Sequence, residues 1–185
     1  MNSFYSNDEL AKLGFKTLGE NLQISRWARF YRCDTISIGS NTRIDDFTII
    51  TGSVTIGNFC HITPHCIMTG SANTSILISD YCTFAYRSTI FSQTDDYTGP
   101  SMTGSVVNPA HVNPYSADVF IAPHSIVGAS SVVMPGVHVA IGTAIGAMSF
   151  LNSNTEPWTV YAGIPARRIR IRQQFPEDYL TEYSD

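Results

Sequence analysis

Four side chains that can bind a metal or carry a proton lie close together in this sequence. Cys60, His61, His65 and Cys66 fall within seven residues, and thiolate and imidazole are ligands that zinc prefers. An exposed imidazole can instead act as a general base. Which chemistry applies depends on the side of the chain to which each residue points, and therefore on the local structure.

A repeat of six residues runs through most of the chain. An aliphatic or aromatic side chain recurs every six positions, and a small side chain follows four places later in nearly every repeat. The large residues are Ile38, Ile44, Ile50, Ile56, Ile62, Met68, Ile78, Phe84, Ile90, Ile121, Val127, Val133, Val139, Ile145 and Leu151. The small residues are Thr42, Thr48, Val54, Cys60, Cys66, Cys82, Ser88, Thr94, Ser125, Ser131, Val137, Thr143 and Ser149.

A strict period of six requires a corner in every repeat, because neither a flat sheet nor an α-helix has that period. Three short strands and three corners close a triangular coil of about eighteen residues, and each coil stacks on the next. The sequence therefore predicts an all-β fold, a parallel β-helix, with Ile38, Ile56, Ile78, Ile121 and Val139 in one column. A β-sandwich of short strands is the alternative, but sandwich strands are not locked to six residues.

The repeat decides where the cysteine and histidine side chains point. Cys60, Cys66 and Cys82 occupy the small inward position, where cysteine packs as a small apolar residue. We therefore expect free thiols and no metal. His61 ends the hexapeptide that begins at Ile56, so its ring is expected to point outward at a corner.

The same pattern divides the chain. Residues 1–37 are expected to form an N-terminal cap and lead-in, residues 38–156 the β-helix, and residues 157–185 a C-terminal tail. A break over residues 96–119 contains several Gly and Pro residues and is expected to leave the prism as a long external loop, a kind of segment that often carries function.

Two short helices are predicted as covers for the open ends of the β-helix, whose strand edges would otherwise be unpaired. The first runs from Asn7 to Leu13, with Ser6 or Asn7 as the N-cap. The second runs from Pro176 to Tyr183.

Charge and hydropathy exclude several classes of partner. The net charge is −4 and the isoelectric point is about 5.6, which does not favour binding to nucleic acid. The N-terminal residues lack the basic flank and apolar run of a signal peptide, and no apolar stretch is long enough to span a membrane. A cytoplasmic location is expected.

The repeat, together with the ending PWTVYAGIPARRIRIR, resembles the hexapeptide-repeat acyltransferases. The resemblance covers residues 38 to about 172 and implies a left-handed coil, a homotrimer and acetyl-CoA as the co-substrate. The segment FSQTDDYTG resembles the branch of galactoside, maltose and surface-polysaccharide O-acetyltransferases. In that branch the donor lies between neighbouring prisms and the sugar lies under the loop of the adjacent subunit.

The resemblance implies two candidates for the base. In that branch a histidine ends the hexapeptide before the long loop, and this chain has Asp95 there. A carboxylate is a weaker base than imidazole, so His61 is the alternative. We hypothesise an Asp95–His61 pair across a subunit interface, in the manner of known triads; a solvated corner histidine is the competing interpretation.

The resemblance also implies binding residues for the acceptor. Asp96 and Tyr97 could bind sugar hydroxyls or could anchor the loop, and Thr63 and His65 match positions that contact the acceptor in the family.

For the donor, the resemblance implies contacts at small residues and at basic residues. The thioester is expected near Gly128, Ala129, Gly146 and Ala147, and an N–H of that run is a candidate oxyanion donor. CoA phosphates are expected near Arg167 and Arg170, and Asn152 and Ser153 occupy the place where the family often has Thr-Lys.

Three functions follow as hypotheses. The first is an acetyl-CoA:sugar O-acetyltransferase in cell-surface polysaccharide or O-antigen synthesis. The second is an N-acetyltransferase on a nucleotide-linked amino sugar, which Asp95 favours because a carboxylate can bind an ammonium group. The third is a trimeric scaffold without catalysis. A γ-type carbonic anhydrase is a remote fourth, because the five histidines lack the His-x-x-x-x-His pair of that class.

Overall fold

The chain folds as a three-sided β-helix in a computed structural model that describes residues 3–176 and Tyr179. One α-helix, α1 (Asn7–Ala11), precedes the strands, and short 3-10 turns lie at Cys33–Thr35 and Pro109–His111. The strands are β1 (Thr17–Leu18), β2 (Gln23–Ile24), β3 (Arg29–Tyr31), β4 (Ile36–Ile38), β5 (Arg43–Ile44), β6 (Ile49–Thr51), β7 (Val54–Ile56), β8 (His61–Ile62), β9 (Ile67–Thr69), β10 (Ile76–Ile78), β11 (Thr83–Phe84), β12 (Thr89–Phe91), β13 (Gln93–Thr94), β14 (Tyr115–Ser116), β15 (Val119–Ile121), β16 (Ile126–Val127), β17 (Val132–Val133), β18 (His138–Val139), β19 (Ala144–Ile145), β20 (Phe150–Leu151), β21 (Thr159–Gly163) and β22 (Ala166–Ile171).

The strands other than β13 and β14 form three sheets, which are the faces of the prism. The first sheet has the order β1-β4-β7-β10-β15-β18, the second β2-β5-β8-β11-β16-β19-β21-β22, and the third β20-β17-β12-β9-β6-β3. All pairs between successive coils are parallel, and β22 alone adds to its sheet antiparallel. The predicted parallel β-helix is confirmed.

The predicted column lies inside the first sheet. Ile38 pairs with Ile56, Ile56 with Ile78, Ile78 with Ile121, and Ile121 with Val139. Every large residue of the repeat is at most 3 % exposed. The hydrophobic core is therefore the stacked interior of the prism, as the period of six predicts.

Small inward residues bind the carbonyls of neighbouring coils. The Thr42 hydroxyl donates to the Gly57 carbonyl at 2.9 Å, and the Ser131 hydroxyl to the Gly146 carbonyl at 2.8 Å. These buried hydroxyls lose water on folding and need such a partner. The small position thus accepts Ser and Thr as readily as Cys or Val.

Two positions of the repeat have special backbone requirements. The residue three places after the inward one often has left-handed backbone, as in Asn41 (φ 57) and Phe59 (φ 53). The glycine that follows the inward residue instead supplies space, because a Cβ on Gly39 would lie 2.6 Å from the carbonyl carbon of Gly57.

The coils begin earlier than Ile38, the first residue of the predicted repeat. Leu18, Ile24 and Phe30 already keep the period of six, and β1 pairs in register with β4 through Leu18 and Ile38. The break over residues 31–36, which holds a 3-10 turn, hides this first coil in the sequence.

The N-terminal helix is capped as predicted and is shorter than predicted. Ser6 is the N-cap, and the Ser6 and Glu9 side chains form a reciprocal capping box. The helix ends at Ala11 rather than Leu13. Leu10 anchors it on the core with 1 % exposure. The helix predicted from Pro176 to Tyr183 lies mainly outside the described residues.

The tail is fixed to one corner of the prism. Arg172 Nη1 donates to the carbonyls of His124 (2.8 Å) and Gly142 (2.9 Å). The rings of Trp158 and Phe175 pack 5.4 Å apart beside them. Burial and the charge of Arg172 lower the pKa of His124.

Among residues 3–176 and Tyr179, no helix is long and apolar enough to cross a bilayer.

Candidate functional site

A cavity of about 440 Å³ lies between the third face and the long loop. Its floor is formed by β9 and β12, which present Ile67, Thr69, Thr89 and Phe91. Its other walls come from the chain that enters the loop and from Gly104 and Ser105. The antiparallel pair β13–β14 holds the two ends of the loop together and so fixes the cavity mouth.

Asp95 is the carboxylate of this cavity. It comes directly after β13, is half-buried, and accepts a hydrogen bond from the Gly104 N–H to Oδ2 at 3.2 Å. The first part of the loop therefore folds back over the third face, and Asp95 is placed beside the threonine hydroxyls of the floor. A carboxylate in such a polar, partly enclosed position can bind a cation or accept a proton.

Asp96 mainly anchors the loop. Its Oδ1 accepts bonds from the Thr98 N–H (2.9 Å), the Thr98 hydroxyl (3.1 Å) and the Gly99 N–H (2.9 Å). The bonds from the Thr98 and Gly99 backbone lower the pKa of Asp96. This geometry agrees with the loop-anchoring interpretation of Asp96.

Tyr97 presents its ring to solvent at the edge of the cavity. The side chain is 80 % exposed, and its hydroxyl accepts a bond from the Thr94 hydroxyl at 3.2 Å. It remains available for a contact to a ligand in the cavity.

His61 lies on the second face and has a carboxylate partner within the chain. Its Nε2 lies 2.9 Å from Oδ2 of Asp45, and Arg43 Nε donates to Oδ1 of the same carboxylate at 2.7 Å. Asp45 is buried, with 8 % exposure, while the His61 side chain is 42 % exposed. The carboxylate thus holds the ring through Nε2, and part of the ring remains exposed.

Within one chain His61 and Asp95 are on different faces of the prism. His61 belongs to β8 of the second sheet, at the strand and not at the corner, and Asp95 lies beyond β12 of the third sheet. The chain itself therefore does not bring them together, and the pairing across a subunit interface stays a prediction. The carboxylate that the ring does contact is Asp45.

The sequence did not predict Asp45 and Arg43 as partners of His61. Arg43 and His61 are eighteen residues apart and pair directly between β5 and β8. The length of one coil is the signal that could have found them, since residues eighteen apart lie side by side on one face.

The two predicted acceptor contacts at 63 and 65 differ in accessibility. Thr63 is buried, and its hydroxyl donates to the Phe84 carbonyl at 2.8 Å, so that hydroxyl is already used inside the prism. His65 is exposed at the next corner, with its ring stacked on Phe47 at 5.0 Å.

The predicted donor residues lie along the later coils. The N–H groups of Gly128 and Gly146 donate to the carbonyls of Ile145 (2.8 Å) and Tyr161 (2.7 Å), so they are committed to the coil and do not serve as oxyanion donors. A Cβ on Gly128 would lie 2.5 Å from the Ala147 nitrogen. The small side chains here thus allow the coils to stack, and Ala129 lies beside them at the corner.

The basic residues of the tail lie at the open edge of the second sheet. Arg167 and Arg170 belong to β22 and are exposed, as are Asn152 and Ser153 after β20. Arg168, between them, contacts Glu156 at 3.2 Å. The tail can therefore present guanidinium groups to phosphates.

Three of the four cysteine side chains lie inside the prism. Cys33, Cys60, Cys66 and Cys82 are free, and burial raises the pKa of the Cys66 thiol. Within residues 3–176 and Tyr179, no three His, Cys, Asp or Glu side chains converge as possible metal ligands.

Comparisons with known proteins relate the whole chain to acyltransferases. No family model matches the sequence. The dTDP-4-amino-4,6-dideoxy-D-glucose acyltransferase of Escherichia coli is 40 % identical over 169 residues, which cover 90 % of this chain and 87 % of that protein.

Solved structures agree with this relationship. AntD, an N-acyltransferase from Bacillus cereus in complex with dTDP and 3-hydroxybutyryl-CoA, superposes with a TM-score of 0.95 at 36 % identity, covering 99 % of this chain and 97 % of AntD. A hexapeptide-repeat acetyltransferase from Vibrio cholerae, 18 % identical with a TM-score of 0.62 over 94 % of this chain and 85 % of its own, shares the fold. The expected likeness to the galactoside and maltose branch is not confirmed: the two relatives of higher identity are named for a dTDP-linked amino sugar or for N-acyl transfer.

Proposed function

The chain belongs to the hexapeptide-repeat acyltransferases of left-handed β-helix fold, and from this premise we propose that it transfers an acyl group from coenzyme A to the amino group of a dTDP-linked amino sugar. The observation that carries the proposal is the 40 % identity over 169 residues with an acyltransferase named for such a sugar. This is the second of the three functions predicted from the sequence, and it takes precedence over sugar O-acetylation.

The cavity beside the long loop supports an amine acceptor. An amine reaches the enzyme mainly as an ammonium ion, which a carboxylate can bind and from which it can take the proton that must leave before attack. Asp95 supplies that carboxylate, and Thr69 and Thr89 supply hydroxyls for the sugar. The branch that the sequence resembles has a histidine at this position. The aspartate in this chain suits the proposed amine substrate better.

The reaction requires one proton to leave before the bond forms. The ammonium gives a proton to Asp95, and the free amine attacks the thioester carbonyl. The new C–N bond forms and the C–S bond breaks, and a second proton from nitrogen reaches the departing CoA sulfur. The products are an amide, CoA thiol and one released proton.

For the donor we assign CoA phosphates to Arg167 and Arg170 and place the pantetheine along Ala129 and Ala147, with Asn152 and Ser153 beyond them. Acetyl is the proposed acyl group. AntD in complex with 3-hydroxybutyryl-CoA makes a larger acyl group the first alternative to test. The proposed assembly is a homotrimer.

Sugar O-acetylation is the second candidate, and a specific observation favours it. A hydroxyl acceptor needs a stronger base than a carboxylate. His61 is a candidate, because Asp45 contacts its imidazole as the carboxylate of a catalytic triad contacts the histidine. The segment FSQTDDYTG, which resembles O-acetyltransferases, is consistent with this candidate.

A thioester-consumption assay distinguishes these functions. The protein is incubated with acetyl-CoA or 3-hydroxybutyryl-CoA and with dTDP-4-amino-4,6-dideoxyglucose, the matching dTDP-sugar that carries a hydroxyl instead of the amine, or free galactoside. We expect CoA release with the amino sugar only. Turnover with the hydroxyl sugars and none with the amine would replace the proposal with the O-acyl function.

A further inference from the structure

Four arginines lie on the last strand, β22, or directly after it, and they differ in exposure. Arg167, Arg168 and Arg170 are exposed, whereas Arg172 is half-buried. The three exposed side chains can meet solvent or a ligand. Arg172 instead turns back to the prism, so its role differs from that of the other three.

Arg172 joins two successive coils at one corner. Its Nη1 donates to the carbonyls of His124 at 2.8 Å and Gly142 at 2.9 Å, and these two residues are one coil apart. The Arg172 N–H donates to the Trp158 carbonyl at 2.7 Å, and the guanidinium carbon lies 5.8 Å from the centre of the Trp158 ring. The end of β22 is therefore held at a fixed place on the prism.

A β-bulge shifts the register of β22 against β21. Arg170 pairs with Val160 and Arg168 pairs with Tyr161, so Ile169 is an extra residue in β22. Residues directly opposite each other on antiparallel strands point to the same side of the sheet. A bulge changes the side to which the following residues point, so this one decides how the exposed arginines are arranged.

Because of the bulge, Arg167 and Arg170 point to the same side. Arg167 pairs with Ala162 and Arg170 pairs with Val160. Val160 and Ala162 are on the outer side of β21, because Tyr161 between them is buried. Without the extra residue, two side chains three positions apart would point to opposite sides. The two arginines thus lie next to each other in one outward row, about 7 Å apart along the strand.

This outward row borders the path proposed for the donor. Ala162 lies over Gly146 of the preceding coil, since a Cβ on Gly146 would lie 3.0 Å from the Cβ of Ala162. Ala147, beside which the pantetheine is proposed to lie, directly follows Gly146. Arg167, opposite Ala162, is therefore close to that path.

The side to which the two exposed arginines point depends on the register of β22, and the register depends on where the strand is held. We propose that Arg172 is a positioning residue for the acyl donor, an inference that rests on the proposed function. It holds the end of β22 and keeps the bulge in place, so that Arg167 and Arg170 both point outward to phosphate groups of CoA. Arg172 does not contact CoA itself, because its guanidinium is used at the corner.

A thermodynamic cycle, measured by isothermal titration with CoA, tests this role. Arg172→Ala is expected to weaken CoA binding by about tenfold when Arg167 and Arg170 are present. In a protein that already carries Arg167→Ala and Arg170→Ala, the same change is expected to alter CoA affinity by less than about twofold. Equal losses in both backgrounds would show that Arg172 acts independently of the two arginines and would overturn the proposal.

Arg172→Lys is the second variant, for the case in which Arg172→Ala does not fold. Lysine keeps the charge and the donors but lacks the planar guanidinium. We expect it to weaken CoA binding by about threefold, and this loss must also disappear when Arg167 and Arg170 are replaced. Melting temperatures of all variants are measured alongside to identify those that fold.

Arg168→Ala is the matched control, because Arg168 is an exposed arginine of the same strand that contacts Glu156 and pairs with the inward Tyr161. It is expected to bind CoA like the wild type. Wild-type CoA affinity in Arg172→Ala would overturn the positioning role and leave the proposed function standing. A wild-type protein that does not bind CoA would overturn the proposed function and the positioning role with it.

Discussion

Two candidate bases on this chain are held in different ways. Asp95 accepts an N–H bond from Gly104 at 3.2 Å and lines the cavity beside the long loop. His61 is fixed by the buried Asp45, which is fixed in turn by Arg43. The histidine is the better oriented group, whereas the aspartate is the one placed beside a binding cavity. For an amine acceptor, the place of Asp95 beside the cavity favours it as the base, because one carboxylate can bind the ammonium and also take its proton.

Asp95→Asn removes the charge and keeps the shape of the side chain. We expect kcat/KM for the amino sugar to fall by about 10²-fold or more, since general base catalysis contributes about 10²- to 10⁴-fold. Steady-state thioester consumption measures the loss, and CoA affinity by titration serves as the control for folding.

His61→Asn and Asp45→Asn, measured in the same assay, identify the other possible base. If the histidine takes the proton, both replacements lower kcat together, because Asp45 acts only by orienting the ring. A 10²-fold loss in His61→Asn beside a nearly normal Asp95→Asn would contradict our assignment of the proton to Asp95.

The elements of this protein are short strands that gain stability by stacking. A strand of two or three residues has few contacts of its own, and its neighbours in the coils above and below supply the rest. The stability of each strand therefore depends on the distance between neighbouring coils. Where backbone approaches backbone closely, as at Gly39 and Gly57, a side chain is excluded.

Gly39→Ala tests this dependence. The new Cβ would lie 2.6 Å from the Gly57 carbonyl carbon, a rigid backbone atom, so the coils must move apart. We expect a loss of about 1–3 kcal/mol in the free energy of unfolding, or roughly 2–4 °C in melting temperature per kcal/mol.

Ser37→Ala is the control for that experiment, because Ser37 faces outward from the same sheet, on β4. Its effect is expected to stay within about 0.5 kcal/mol. If Gly39→Ala melts at the wild-type temperature, the close coil contact does not limit stability.

On the scale of the whole molecule, a prism of stacked coils carries a long external loop. The core lies within the coils, and the loop residues beyond Asp95 are largely exposed, up to 96 % at Val106. The loop returns through β14 and through Asp118, whose carboxylate accepts the Ser75 N–H at 2.7 Å. The prism thus sets where the loop starts and ends, and the loop encloses the site.

Replacing residues 98–113 with a short Gly-Ser linker separates these roles. Because β13, β14 and Asp118 remain, we expect the melting temperature to change by only a few degrees and CoA binding to persist. The rate at which the amino sugar is acylated is expected to fall by about 10²-fold or more. The reason is that the cavity loses the wall formed by Gly104 and Ser105. Wild-type turnover in the shortened protein would show that the loop does not form the acceptor site.

Much of the fold could be predicted because it is periodic. A residue such as Ile56 is inward for the same reason as Ile38 and Ile78, so many weak local signals agree on one structure. The first coil is hidden in the sequence because the break between Phe30 and Ile36 interrupts that period, although Leu18 and Ile24 carry it.

The site follows from periodicity only in part. The sequence by itself determined the three-sided coil, the inward cysteines, the capped N-terminal helix and the place where the long loop leaves, because each depends on spacing along the chain. Only the tertiary structure decided that His61 binds Asp45, that the Thr63 hydroxyl is used inside the prism, and that Asp95 shares a cavity with Gly104 and Ser105. The physical reason is that these relations join different coils or follow a loop without a period, so the stacking of backbone in three dimensions sets them.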